Sequence, residues 1–585
     1  MLSVKWTSLL SVLLVAAALA DPAASSLVKR AKKIDAGGDT KAAAGTQIVL
    51  DTIFSTAWNY STGDFPEKSI NLTNGDAIIG IDVHDNRALQ QMIGAGCGIT
   101  DSASIALQAV KQANRDQYDE LMRTFFDQSP EWAIEKGGAG LNIVRSPIGA
   151  SDFATSVYSY DDTADDSPDT SLSLFTIDRA PKMWQTHMDI QKINARVKRM
   201  WAPWSPPDWM KYNGTVGSGQ MIGGQLQPKY YDVYAKYLAR SMQAIKQKLG
   251  SSPWQLSIQN EPMYLPDKYP GNKINATDAA TIGGYTRQYL DAYGLKDVTL
   301  TAYDHNWDHA EYPTKVFDST KAFDSVSWHC YGGDPSAQDD FNKAFPGRTT
   351  IMSECTRITQ NNEEPWSNLR KSASQFLTEA IEHGTQAVVL WNCALTVDEN
   401  GFTTPHLPNV CSNCAAPALL PQAMTGNAKI QSQTQPPSRR SGVTTDKSKA
   451  SGKGPFGTHI LPAYVPPGGP IDTHGKFRLT SDFSVLAHLS RAIRPRNREE
   501  QWAVRVGAST TEEANDFPDG ERIKVQAYRT SIGSDGKRRW SLTLLQKHDH
   551  FLSGVYNDVT ATIKFRGMVA NVTLPVGLHT LTWVA

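Results

Sequence analysis

Two glutamates close short apolar runs of the chain: Glu261 in SIQNEP, which begins at Ser257, and Glu354 in TIMSEC, which begins at Thr350. A carboxylate at the end of one apolar run reads equally well as a surface ion pair. Two of them on elements that face each other across one cavity have a more specific use. Retaining glycoside hydrolysis places two carboxyl groups about 5–5.5 Å apart, one attacking the anomeric carbon and the other protonating the leaving oxygen. On that reading Glu261 and Glu354 are the catalytic pair, and Asn260 beside Glu261 contacts a sugar hydroxyl.

Other apolar runs end in groups suited to the same chemistry. Arg145, in LNIVRSPI, is placed to pair with Glu354 and support it as nucleophile. His329 and Tyr331, in SVSWHCY, end the run that precedes that of Glu354, within reach of the nucleophile. Trp204, Trp307 and Trp391 stand at or just beyond run ends, where indole faces can stack on sugar rings. Any single Trp is more often a core residue.

The elements that must position these groups follow from periodicity. Eight strand-like runs start at Met92, Leu141, Val197, Trp254, Val298, Ser325, Thr349 and Ala387, and helical patterns separate them. Near-continuous apolar character is what strands buried on both faces show. Helices are expected over Ile105–Phe126, Met183–Ala195, Lys229–Leu249, Thr281–Tyr293 and Leu369–His383, with a last one at Ser484–Arg494. Eight such units predict an α/β fold, a (β/α)8 TIM barrel whose working residues sit at the C-terminal strand ends. A doubly wound sheet is the competitor, but no glycine-rich phosphate turn opens a helix.

After Pro495 the pattern changes to short alternating strands, and Thr46–Asp82 is similar, so both chain ends are expected to build one attached antiparallel β-sandwich domain. The expected division is 1–20 signal peptide, 21–45 linker or short propeptide, 46–90 sandwich strands, 91–495 barrel and 496–585 sandwich. A low-complexity insertion at 422–456 (Gln422–Phe456) interrupts the barrel and is too polar to order itself.

Residues 1–20 carry Lys5, an apolar stretch to Leu19, and small residues before Asp21, the pattern of a cleaved secretory signal. The stretch is short for a membrane anchor, and Lys29-Arg30 offers a processing site. Five Asn-x-Ser/Thr sequons (Asn59, Asn71, Asn213, Asn275 and Asn571) suit an extracellular glycoprotein. Of six cysteines, Cys411 and Cys414 are expected in a loop disulfide, with each other or another cysteine. Cys97, Cys330, Cys355 and Cys393 lie in apolar runs, where a buried thiol is the default reading. With 58 basic and 59 acidic residues the net charge is -1, which gives no electrostatic footprint for nucleic acid. No metal constellation appears in the sequence, and no cofactor is expected. The expected partner is a carbohydrate polymer or glycolipid substrate, met by a secreted monomer without stable membrane insertion.

The blocks GAGCGITDSAS, LNIVRSPIGASDF with SYDDTADD, APWSPPDWMKYNG, SIQNEP, SVSWHCY, IMSEC and VVLWNCAL resemble, in order and spacing, glycoside hydrolase family 30 of the retaining clan. The resemblance runs from about residue 90 to 400 and resumes at SDFSVLAHLSRAIRP and VTLPVGLHTLTW. It implies that Glu261 is the acid/base and Glu354 the nucleophile, and that Asp152, Trp204, Asn260 and Trp391 hold the sugar. The WHCYGG block and the CSNC loop look more like the secreted fungal endo-β-1,6-glucanases of the family than its glucosylceramidases. The expected activity is therefore cleavage of β-1,6-glucan, with glucosylceramide hydrolysis by the same pair as the alternative. A catalytically inactive carbohydrate-binding barrel is the reading from another class, and retention of both glutamates with Asn260 argues against it.

Overall fold

The computed structural model describes residues 46–57, 71–73, 79–164, 167–212, 221–357, 365–398, 401–411, 413–425, 476–495, 497, 500–511, 523–547 and 558–585. The expected signal peptide and linker, Asn59, Asn213 and the insertion beyond Thr425 lie outside the described residues.

Eight parallel strands close into a barrel: β1 (Gly94–Gly98), β2 (Ile143–Ile148), β3 (Lys198–Pro203), β4 (Gln255–Ser257), β5 (Thr299–Asn306), β6 (Ser325–His329), β7 (Thr349–Glu354) and β8 (Ala387–Asn392). Each of the eight apolar runs supplies one strand, and β8 closes on β1 through Ala387 opposite Gly94. Every residue of β2 and β8 is buried, which is why these segments read as unbroken apolar runs. Alternation sorts their side chains. Ile143, Met200, Ile351, Ala387 and Val389 share one small cluster, whereas their neighbours Val144, Trp201, Met352, Val388 and Leu390 join the larger core with the helices. Gln255 of β4 donates to Thr301 of β5 and to Ser327 of β6, which links three strands through buried polar groups. A β-carbon on Gly96 would stand 2.1 Å from the Ile143 carbonyl oxygen, so close packing of β1 on β2 requires glycine there.

The helices follow the periodicity with local corrections. The stretch expected as one helix over Ile105–Phe126 is two, Asp101–Ala113 and Arg115–Phe126. Asn114 between them is extended, and its side chain accepts from the Gln117 N–H, so a competing cap breaks a pattern that periodicity alone would continue. The helix Tyr231–Leu249 ends, as its sequence predicts, at Gly250 in the left-handed region (φ 64°). The expected Leu369–His383 helix starts earlier, at Pro365, and passes through a π-helical stretch, Ser374–Glu379. The run expected as one strand through Leu395 is divided after Asn392. Ala394–Asp398 joins Gly401–Phe402, Ala418–Pro421 and Arg478–Leu479 in a separate small sheet.

Beside the barrel, segments from both chain ends pair in one ten-stranded sheet. Leu50–Ala57 lies antiparallel to Gly577–Val584, and Ile79–Gln91 lies antiparallel to Val504–Thr510. Two pairs are parallel, contrary to a purely antiparallel expectation: Thr46–Gln47 with Met568–Leu574, and Ile79–Gln91 with Val559–Phe565. Strands from both ends share one apolar cluster that includes Ile53, Ile81, Leu542, Ile563 and Trp583.

The cysteines correct the default reading. Cys411 bonds Cys414, but Cys97 also bonds Cys393, and Cys330 bonds Cys355. Burial in an apolar run does not distinguish a thiol from half of a disulfide; Cys97 and Cys393 meet where the barrel closes, and Cys330 and Cys355 meet through the pairing of β6 with β7. Cys330 and Cys355 directly follow His329 and Glu354 and tie the ends of β6 and β7. Replacing both Cys330 and Cys355 with Ala removes a cross-link spanning 25 residues. The expected loss is roughly 3 kcal/mol of stability, read as a lowered urea midpoint with a steeper slope, since the freed unfolded chain exposes more surface.

Candidate active site

Arg145 projects from β2 into the barrel mouth at 1% exposure and bonds groups from β5, β7 and the turn that follows β4. Its Nη1 donates to Glu354 Oε2 (2.6 Å), and its Nη2 donates to Asn260 Oδ1 (2.6 Å) and Asp304 Oδ2 (3.0 Å). Charge-assisted bonds of this kind offset the large cost of burying a guanidinium. The guanidinium also lies 5.1 Å from the Trp204 ring centre and 5.6 Å from that of Trp391. Those two indoles stack on each other at 5.1 Å and are only 3% exposed, so each gives much of its surface to the other and to Arg145. Trp307, by contrast, is packed in the strand-helix core.

Glu261 sits just beyond β4 with φ 49°, an uncommon conformation for a residue with a side chain and a strained one before Pro262. Backbone bonds hold it there: Asn260 N–H to Pro203 O (2.8 Å), Glu261 N–H to Asp304 O (2.9 Å) and Tyr264 N–H to Glu261 O (2.9 Å). Strain maintained by its surroundings is a feature of functional positions. Glu261 Oε1 lies 3.2 Å from His329 Nδ1 and 3.7 Å from His305 Nδ1.

His329 links the two glutamates. Its Nε2 bonds Asp304 Oδ1 (3.1 Å) and lies 4.0 Å from Glu354 Oε2. Burial opposes its charge, but Glu354, Asp304 and Glu261 raise its pKa to about 9. Burial likewise favours a neutral Glu261, yet the imidazoles of His305 and His329 lower its pKa to about 2. Asp304 is held well below the usual carboxylate range, against the effect of its burial, by Arg145, His329 and Ser353. These opposite shifts favour the proton on His329 and the charge on Glu261. Moving it from Nδ1 to Oε1 across their hydrogen bond yields a neutral imidazole and a carboxylic acid, with no change in the total number of bound protons.

On the other side, Tyr331 OH donates to Glu354 Oε1 (3.0 Å) while its ring remains partly exposed. Asp152, in the loop after β2, has a buried Oδ1 without a hydrogen-bond partner. Burial, then repulsion from Glu354 and Glu261, pushes its pKa up to about 8. The loop after β8 reaches back to it through Leu407 N–H to Asp152 O (3.1 Å).

The structure thus brings Arg145, Asn260, Glu261, His329, Tyr331 and Glu354 together through direct contacts, with Trp204 and Trp391 against Arg145 and Asp152 in the field of both glutamates. Sequence reasoning missed Asp304, His305 and Ser353. The first two were visible as the Asp-His-Asn end of β5, a strand tip with two ionisable residues; Ser353 carried no signal beyond its place before Glu354.

A model of the glycosyl hydrolase family 30 TIM-barrel domain matches residues 92–293. An endo-1,6-beta-D-glucanase of Neurospora crassa is 30% identical over 333 residues, covering 56% of this chain and 64% of that protein. A glucosylceramidase-like protein of Caenorhabditis elegans is 25% identical over 338 residues, covering 54% and 60%. The chain therefore spans a little under two thirds of the length of these relatives. Among solved structures, the endo-beta1,6-glucanase BT3312 superposes with a TM-score of 0.65 at 19% identity, over 91% of this chain and 98% of that one, a likeness of fold. Residues 92–293 of the barrel are thus similar to the glycosyl hydrolase family 30 TIM-barrel domain, and the remainder of the barrel shares its architecture with the solved structure above.

Proposed function

We infer that this chain is a secreted retaining glycosidase that cleaves β-1,6-glucan. The observation that carries the reading is the convergence of Glu261 and Glu354, from β4 and β7, on one cluster organised by Arg145, Asp304 and His329. Similarity to the Neurospora crassa endo-1,6-beta-D-glucanase supports the substrate. Three disulfides support an oxidising destination, consistent with the signal-like N-terminus. Among the described residues no helix is long and apolar enough to cross a membrane.

In this mechanism Glu354 attacks the anomeric carbon while Arg145 and Tyr331 orient its two oxygens. The bond from that carbon to the leaving oxygen breaks, and Glu261 delivers to that oxygen the proton it shares with His329. Water then gives a proton to Glu261 and its oxygen to the anomeric carbon, releasing Glu354 with the original configuration. Asp152, with its unpartnered buried oxygen, receives a sugar hydroxyl, and Asn260, Trp204 and Trp391 complete that subsite. The glucosylceramidase-like relative supports glucosylceramide hydrolysis by the same pair as the second reading.

Incubation of purified protein with linear β-1,6-glucan is expected to release gentio-oligosaccharides, and glucosylceramide in detergent is expected to remain intact. Glucose and ceramide from the lipid alone would establish the second reading instead. Glu261→Ala and Glu354→Ala should each lower kcat by about 100-fold or more. Azide should rescue the first with a retained glycosyl azide and the second with an inverted one; unchanged hydrolysis in either variant would refute the assigned role.

The charged pair also has a pH signature. Stability from Glu261, lowered from 4.5 to about 2, is present above the first value and lost as pH falls through the second. Stability from His329, raised from 6.5 to about 9, is present below 6.5 and lost as pH rises through about 9. The stability margin of the wild type over His329→Gln, measured by urea unfolding, should therefore be largest between about 4.5 and 6.5. A margin independent of pH would contradict the charged pair.

A further inference from the structure

We propose that Glu261, His305 and His329 form a site that captures a divalent, borderline-soft cation such as Zn²⁺ and blocks the acid/base. The blocking half of this inference rests on the role assigned to Glu261; the binding half rests on geometry. One carboxylate oxygen and two imidazole nitrogens lie within 4.8 Å of one another at the tips of β4, β5 and β6. Metal-ligand bonds of about 2.0–2.2 Å in a tetrahedron place neighbouring ligand atoms roughly 3.3 Å apart. The separations from Glu261 Oε1 are 3.2 Å to His329 Nδ1 and 3.7 Å to His305 Nδ1.

The two imidazoles are prepared differently. His329 is fully buried, and its Nε2 bonds Asp304, which directs Nδ1 at Glu261. A carboxylate on the far nitrogen of a ligating histidine is the usual outer partner in metal sites, where it fixes the tautomer and orientation. His305 is 5% exposed, and its Nδ1 has no hydrogen-bond partner although it points toward the carboxylate. A buried nitrogen that faces a carboxylate at 3.7 Å without a hydrogen bond to it is a contact that a cation between the two would complete. Two histidines and one carboxylate are a suitable donor set for Zn²⁺ or Cu²⁺ and a poor one for Mg²⁺ or Ca²⁺, which favour oxygen ligands. A cation held there displaces the Nδ1 proton of His329 to solvent and occupies the Glu261 oxygen that faces it, so no proton can pass between the two, and the remaining coordination position takes water.

The test is calorimetric titration of the metal-free full chain with ZnCl₂ beside hydrolysis of β-1,6-glucan across the same zinc concentrations. One zinc per chain is expected, with hydrolysis falling as the site fills and returning on addition of EDTA. Loss of an outer partner alone weakens metal sites by about 10–100-fold, so His305→Phe or Glu261→Gln should weaken binding by about 100-fold or more. His305→Asn provides a second variant of similar polarity should the Phe variant fail to fold, and Cu²⁺ in place of zinc should show nitrogen hyperfine coupling from two imidazoles. Zinc binding equal in wild type and variants would overturn the site, as would hydrolysis that persists at full occupancy. Because calorimetry needs no substrate, variant-sensitive zinc binding in a chain that cleaves no glucan would refute the glucanase reading and leave the metal site standing.

Discussion

A guanidinium sealed in the mouth of the barrel sets the geometry on which the rest of the site depends. Arg145 reaches Glu354, Asp304 and Asn260 from a position almost without solvent, so any displacement of one strand tip leaves a buried charge without a partner. Breaking a buried pair by losing one member typically costs about 3–5 kcal/mol. That penalty keeps β2, β4, β5 and β7 in a common arrangement. The aromatic pair Trp204 and Trp391 lies against the same group and excludes water from that side.

Around this cation the charges do not balance. Glu354, Asp304 and Glu261 face Arg145 and one imidazole, and Asp152 lies within their field. The remaining negative potential explains why His329 retains a proton despite burial and why Asp152 tends to acquire one. It also suits a reaction in which positive charge develops on a sugar ring between the two glutamates. The strained Glu261 and the unpartnered oxygen of Asp152 are local costs borne in the same small volume. A well-bonded framework makes such costs tolerable.

That framework extends beyond the site. Cys97–Cys393 ties β1 to the segment after β8, and Cys330–Cys355 ties the tips of β6 and β7 one residue beyond His329 and Glu354. The second sheet joins the two chain ends through the pairing of Leu50–Ala57 with Gly577–Val584. Residues distant in sequence thus brace the barrel, and the helix Ser481–Ile493 connects with that sheet through His488, which bonds Thr56 and Thr580.

Much of the barrel was legible in the sequence, because strands buried on two faces must be apolar throughout and amphipathic helices must repeat every three or four residues. Those constraints act locally, so eight apolar runs indicated all eight strands, and polar residues at their ends indicated Glu261, Glu354 and Arg145. Asn114 broke a helix that periodicity continued, since a side-chain cap competes with the helix at one residue and leaves the surrounding pattern intact. The disulfides of Cys97 and Cys330, the parallel pairs of the second sheet and the place of Asp304 at the centre of the site were decided only by the tertiary structure. Each depends on which strands pair or face one another across the barrel and in the sheet beside it. A sequence records the burial of a residue through its type, whereas the identity of a partner many residues away is a property of the closed barrel and the sheet beside it.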